Sequence, residues 1–347
     1  MTMDALKRQS GIKQSGVKAT ALLAGSLLTG LGCLAASNPA HAAGIDWAGV
    51  PGKEVVLFYP GQSSWEWALT PDDMSGATKF RSEGKSCFDC HDGEEKKMGA
   101  NLVTGQPRVF TVTGKPPVTK PSIEPTPIAG KPGSISATVR FANDGTNLYV
   151  HLDVKDGTQP EARQDPSAAS KVTVMFTTAT TADVTRGGCF AACHDDMTAM
   201  ASAGGATRTH YLAATHAKMT RQGAGDALKP AADLATLKSS GYFFEDWQAR
   251  LNPGQPPKPA AYIVFDKRAE SPLPVTAEAT PIAGGWSVTL ASRLAPGGEF
   301  INFAPGTTYR VAFAVHDGHA AGRFHYISLE RTLVINSGSA DFVAVKK

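Results

Sequence analysis

Four of the five cysteines in this 347-residue chain fall into two short motifs, and each motif ends in Cys-His. Cys87-Phe88-Asp89-Cys90-His91 reads C-x-x-C-H, the attachment pattern of a c-type haem. Two thiols add across the two vinyl groups of a porphyrin, and a two-residue gap fits that separation. The histidine that follows lies beside the ring and can give its imidazole to the iron. Cys189-Phe190-Ala191-Ala192-Cys193-His194 reads C-x-x-x-C-H, with one more residue in the gap. A structural disulfide does not explain why His follows both pairs. A tetrahedral thiolate zinc site built from Cys87, Cys90, Cys189 and Cys193 is the alternative. The expectation is two covalent haem c groups, with His91 and His194 as the proximal iron ligands.

A haem c is loaded outside the cytoplasm, so the chain must be exported. Its first residues carry Lys7, Arg8, Lys13 and Lys18 against one acid, Asp4, followed by an uncharged run rich in Ala, Leu and Gly over 19–36. Ala40-His41-Ala42 supplies an A-x-A cleavage signal. Residues 1–42 therefore read as a signal peptide, with a periplasmic destination. A retained anchor is the alternative, since the apolar run is near the length that spans a bilayer. Cys33 follows Leu31-Gly32, a faint lipoprotein pattern, but Gly30 stands where a Leu belongs. No later stretch is long and apolar enough to span.

Removing the four basic residues and one acid of that segment from totals of 34 and 31 leaves 30 of each. The mature chain is formally neutral, and haem propionates would make it mildly acidic. That argues against nucleic-acid binding, which wants a basic patch.

The mature chain divides by composition. Residues 43–114 form a small irregular haem c unit, with an apolar run at 55–59 and the aromatics Trp65 and Trp67 ahead of the motif. The charged run 92–97 reads as a solvated face. Residues 115–133 hold six prolines and read as an extended linker. From 134 onward the pattern is strands: 136–141 and 147–154 flank the turn Asn143-Asp144-Gly145, and further runs fall at 172–176, 262–265, 275–279, 286–290, 309–315 and 324–334. Short strands between Gly, Pro and Asn turns predict a mainly β fold, an antiparallel β-sandwich over 134–347. The segment 186–258 interrupts it, carries the second motif and has helical character at 189–202, 208–222 and 231–239.

Several of these stretches resemble the ethylbenzene-dehydrogenase-type haem-binding domain of periplasmic cytochromes. They are the run from Gly188 to Met197, Gly241-Tyr242-Phe243-Phe244-Glu245-Asp246-Trp247 through Gly254, Val311 to His319, and Arg323-Phe324-His325-Tyr326 through Leu329. The resemblance covers most of 134–335. The first unit, with Phe58-Tyr59-Pro60-Gly61-Gln62, resembles the small N-terminal part fused to it in some members. It implies a β-sandwich haem domain whose task is electron transfer. In the best known relatives that domain is the haem b subunit of a molybdenum dehydrogenase, with Met and Lys axial ligands. This sequence departs from them by offering thioether attachment and several histidines, so the ligand set does not transfer.

For the first haem, Met74 and Met98 are candidate distal ligands, although packing is the commoner fate of a methionine. For the second, the candidates are His210, His216, His316, His319 and His325. His316-Asp317-Gly318-His319 ends a strand and His325 begins the next, so the three should lie close together. Asp317 could orient an imidazole through its second nitrogen. The spare histidines also leave room for one additional haem b.

Two haems on one chain make an electron relay between redox partner proteins, such as a membrane cytochrome b or a dehydrogenase. No G-x-S-x-G, H-E-x-x-H or Walker loop supplies other chemistry. The alternatives are a haem enzyme, a peroxidase or small-oxide reductase with an open iron beside acid–base groups, and a haem subunit docking a molybdenum dehydrogenase.

Overall fold

The structure is a computed structural model that describes residues 44–61, 83, 85–111, 113–120, 124, 127–155, 165–178, 212–217, 219–220, 223–224, 227–320, 322 and 324–347. The expected signal peptide, Met74, His210 and the whole second motif, Cys189 to His194, lie outside the described residues.

Strand β1 (Lys53–Phe58) comes first. Two helices follow, α1 (Cys87–His91) and α2 (Glu95–Val103). A small hairpin pairs β2 (Arg108–Phe110) with β3 (Val118–Lys120), so part of the proline-rich segment is strand. Next come β4 (Ser134–Asn143), β5 (Asn147–Lys155) and β6 (Ser170–Thr178). The short strands β7 (Met219–Thr220) and β8 (Gly223–Ala224) pair with each other. Helix α3 (Ala231–Ser239) leads to β9 (Phe244–Leu251), β10 (Lys258–Val264) and β11 (Arg268–Glu270). The chain ends in β12 (Thr276–Ile282), β13 (Gly285–Arg293), β14 (Thr308–His316), β15 (Tyr326–Ile327), β16 (Arg331–Ile335) and β17 (Phe342–Lys346). Among the described residues no helix is long and apolar enough to cross a membrane.

Alternation drives the sheet. In β4, Ile135, Ala137, Val139 and Phe141 are buried and the residues between them are partly open, the period of a strand with one face on a core. The fold is mainly β, as the patterning implies, and among the described residues thirteen strands form one continuous network, with β2–β3 and β7–β8 as separate pairs. Strand β14 bonds both β15 and β16, and β4 bonds both β1 and β17. With β15 on β1 and β16 on β17, the path closes into a ring of six strands, a small barrel that removes its own edges. Most pairings are antiparallel, but β17 runs parallel to β16 and β4. From β14 one arm continues through β6, β9, β10 and β11, and from β4 another continues through β5, β13 and β12. The arms meet where β9 lies against β12 and β13.

The core is aromatic. The Phe176 ring lies 4.7 Å from Trp247, 5.2 Å from Phe303 and 6.4 Å from Phe141. Two features depart from the patterning. The span 186–258 is not helical throughout: residues 244–251 are β9, hydrogen-bonded between β6 and β10. Its polar residues Glu245, Asp246 and Gln248 are buried, which hides the apolar run of a central strand. Within 208–222, the described residues form a 3₁₀ turn at Ala213–Thr215 and then β7. Helix α3 does occupy the expected 231–239.

The N-terminal segment is built into this sheet. Strand β1 inserts between β4 and β15. Helix α2 then crosses so close to the start of β4 that a Cβ on Gly99 would stand 1.9 Å from the Gly133 carbonyl oxygen. Only a hydrogen fits on either side of that crossing.

Candidate functional site

The first Cys-His motif is the helix α1 itself. Ser86 caps it: the Asp89 amide donates to Ser86 Oγ at 3.3 Å, and the Ser86 amide donates to Asp89 Oδ2 at 2.7 Å. This reciprocal capping box lets five residues hold helical form. Residues three and four apart share a helix face. Cys87, Cys90 and His91 therefore point the same way, and the helix alone aligns two thiols and an imidazole. Asp89, a spacer in the motif, serves the fold.

The three groups differ in setting. Cys87 packs partly against the core, and burial, reinforced by the charge of Glu330, pushes its thiol up from the usual range. Cys90 is exposed, and both are free thiols. His91 is 43% exposed and its Nδ1 lies 2.9 Å from Glu94 Oε2. A carboxylate only accepts, so Nδ1 carries the proton and the lone pair is on Nε2. The turn between helices fixes this contact. The Glu94 amide donates to the His91 carbonyl at 3.0 Å, and Gly93 takes φ +80°, a conformation glycine adopts without strain.

Phe88, the other spacer, docks α1 on the sheet. The Arg331 guanidinium lies 3.7 Å from the centre of its ring, a cation–π contact. Arg331 Nη2 also donates to Glu95 Oε1 at 3.5 Å, with both side chains buried. Burial pulls the Arg331 guanidinium below its ordinary range, opposed by the charges of Asp341 and Glu95. Glu95 thus departs from the solvated face expected over 92–97. Its partner lies on β16, beside Glu330, which takes a 3.3 Å contact from Arg310.

The donor set fits a c-type haem. Two soft thiols and an imidazole share one helical face, accessible at Cys90 and His91 and packed against the core at Cys87. The zinc alternative needs Cys189 and Cys193, which lie outside the described residues.

Met98 is half-buried on α2, one turn beyond Glu94 and on the same helix face. The structure brings two of the three expected histidines together. The His316 and His325 rings stack with centroids 4.4 Å apart and planes 19° apart. Both donate to the Gly322 carbonyl, from His316 Nε2 at 2.9 Å and His325 Nδ1 at 3.2 Å. On His325 that bond puts the lone pair on Nε2. His319 takes a left-handed φ of 62° and its Nδ1 meets the Asp165 carbonyl at 3.0 Å. Its backbone bonds Asp165 and Ala169, so it secures the loop ahead of β6. Asp317 is fully buried, and its charge adds to the burial that pushes the Tyr326 hydroxyl up. His216 is buried in an isolated bridge to Leu228.

Beside this histidine pair stands a group that motif reading does not find. Lys131 Nζ lies 3.8 Å from the Tyr326 ring centre and 5.3 Å from that of Tyr59, and Tyr59 donates to Glu124 at 2.5 Å. Its residues come from distant parts of the chain, so no local spacing marks it.

No family model matches the chain. It is 28% identical over 309 residues to cytochrome c-552 of Stutzerimonas stutzeri, covering 88% of this chain and 92% of that protein. It is 24% identical over 304 residues to cytochrome c-551 of Rhodocyclus tenuis, covering 87% of this chain and 99% of that protein. These similarities support a c-type cytochrome. Among solved structures, a carbohydrate-binding module of family 9 from Caldicellulosiruptor kristjanssonii, in complex with cellotriose, covers 69% of this chain and 77% of its own. It is 13% identical with a TM-score of 0.26, too low to bear on fold or function.

Proposed function

We propose that this protein is an exported, periplasmic dihaem c-type cytochrome that passes electrons between redox partner proteins. One haem is held by Cys87, Cys90 and His91, and the other by Cys189, Cys193 and His194. The observation that carries the reading is the single helical face of α1, which aligns both thiols and the His91 imidazole. The near full-length similarity to two cytochromes supports it.

In this reading each thiol S–H adds across one vinyl double bond, the sulfur to one carbon and the hydrogen to the other, so attachment needs no oxidant. A haem c so held supplies an iron that changes oxidation state by one electron. The chain's own part is positional. Ser86 and Asp89 hold the helix, Phe88 and Arg331 fix it to the sheet, and His91 presents Nε2 to the metal. The sheet is read as a haem-binding domain of the ethylbenzene-dehydrogenase type, with the second motif in the stretch of sequence that follows β6. His325, whose Nδ1 donates to a backbone carbonyl, would offer Nε2 as a distal ligand, with His316 as the other candidate of the pair. Residues 1–42 are read as the export signal.

The test is the reduced pyridine-haemochrome spectrum of the exported protein, with haem per chain measured before and after acid–acetone extraction. Two haems that resist extraction support the reading, and His194→Ala should then remove one and leave the other. One resistant haem would restrict the cytochrome to α1. None would end the proposal.

A further inference from the structure

The contact between His91 and Glu94 has a consequence for the first iron, and it rests on the reading that His91 is that iron's ligand. We infer that Glu94 is a positioning residue that sets the electron-donating strength of His91 and thereby holds the first haem at a lower midpoint potential than it would otherwise have.

The geometry is built in rather than incidental. Glu94 is the third residue after His91, and the intervening turn is closed by its own amide bonding to the His91 carbonyl at 3.0 Å. Gly93 supplies the positive φ that the turn needs. Glu94 is also the residue just ahead of α2, and the Met98 amide bonds back to its carbonyl at 2.9 Å. Helix α2 is in turn fixed against β4 by the Gly99–Gly133 contact. Both ends of the short link are therefore anchored, which holds the backbones of His91 and Glu94 within reach of the side-chain contact.

The effect follows from charge. A carboxylate accepting the Nδ1 proton draws that proton toward itself and gives the ring partial imidazolate character. The ring then donates more strongly through Nε2, which favours the more positive ferric iron over the ferrous. In the bare chain both side chains are about half exposed, where such a pair contributes little. A porphyrin attached through Cys87 and Cys90 would cover the face that carries His91 and reduce the solvent screening.

The test uses the full exported holoprotein with Glu94→Gln and Glu94→Ala. Haem content is measured first, then each midpoint by spectroelectrochemistry, then the NMR position of the His91 Nδ1 proton. The expected result is unchanged haem content and one midpoint raised, with the other haem as an internal reference. The rise reads the lost preference for ferric over ferrous iron, about 59 mV for each tenfold at one electron. Glu94→Gln, which keeps a neutral acceptor, should fall between wild type and Glu94→Ala and move the Nδ1 proton signal upfield. Both midpoints unchanged in both variants at full haem content would overturn the inference and leave the cytochrome reading standing. A wild-type peptide spanning 87–91 that carries no thioether haem would overturn both. If Glu94→Ala loads poorly, the isosteric Glu94→Gln decides.

Discussion

The Arg331 guanidinium lies over the Phe88 ring, 3.7 Å from its centre, joining the first Cys-His motif to the strand β16. The contact is buried on the arginine side, and Arg331 also meets buried Glu95 at the start of α2. One side chain thus ties both helices of the N-terminal segment to the sheet. Arg331→Ala should lower unfolding stability by roughly 3–5 kcal/mol, because it leaves Glu95 buried without its partner. Urea unfolding with Phe88→Ala in a double-mutant cycle would isolate the stacking share, about 0.5–2 kcal/mol. A coupling near zero would mean that the ring and the guanidinium touch without holding the helix.

The crossing of α2 over β4 tolerates no side chain. Gly99→Ala would bring a Cβ to 1.9 Å from the Gly133 carbonyl oxygen, so the helix must move. A loss of at least about 1–3 kcal/mol follows from overpacking of this kind. Gly114, where a Cβ meets nothing within 4 Å but φ is +78°, tests backbone strain alone. Denaturant midpoints should fall further for Gly99→Ala than for Gly114→Ala, and equal midpoints would contradict the crowding.

Glu245 makes stability depend on pH. It is fully buried on β9, and burial pushes its carboxyl up to about 7 despite donors from Ile301 N–H and Trp247 Nε1–H, both at 2.9 Å. The unfolded chain ionises near 4.5 while the folded chain stays protonated to about 7. The native state therefore binds more protons across that window, and stability falls as pH rises through it, by roughly 3 kcal/mol in all. Asp165, held down at about 2 largely by Lys171 and Ser167, acts in the opposite sense and below this window. Glu245→Gln should flatten the slope between pH 5 and 7 in unfolding titrations. A slope as steep as wild type would assign it to other groups.

The two motif thiols should differ in reactivity before haem is attached. Cys87 packs against the core and burial disfavours its thiolate, whereas Cys90 is exposed. In protein expressed without residues 1–42, a maleimide should label Cys90 well ahead of Cys87, as read by peptide mass spectrometry. Equal rates would show that α1 is not docked in the unloaded chain.

How much of this was open to reading follows from how local each signal is. The two thiols and the His91 imidazole fall within five residues, and spacing alone carries them; the Ser86–Asp89 cap and the Glu94 contact are as local, but there the patterning implies only an irregular unit and a solvated face. Strands such as β4 and β5 announce themselves through alternation. Strand β9 does not, because Glu245, Asp246 and Gln248 are buried through partners elsewhere: Ile301 and Trp247, Arg268, and Thr173. Glu95 looks like surface until Arg331, far along the chain, is placed over it. The patterning likewise separates residues 43–114 from the later strands, yet β1 completes the barrel ring through hydrogen bonds to β4 and β15. The second motif and Met74 fall outside the described residues, so spacing remains their basis.

The glycine contact at the root of α2 turns the proline-rich stretch from a tether into a closed loop. Gly99 on α2 and Gly133 at the end of the stretch meet, and between them the Ile128 amide bonds the Val103 carbonyl at 2.8 Å. A tethered module would sample many separations from the sheet, and a tunnelling rate averaged over them would be spread across decades. A module clasped at its root keeps one separation, so a haem held at His91, as proposed, would stay at one distance from the sheet.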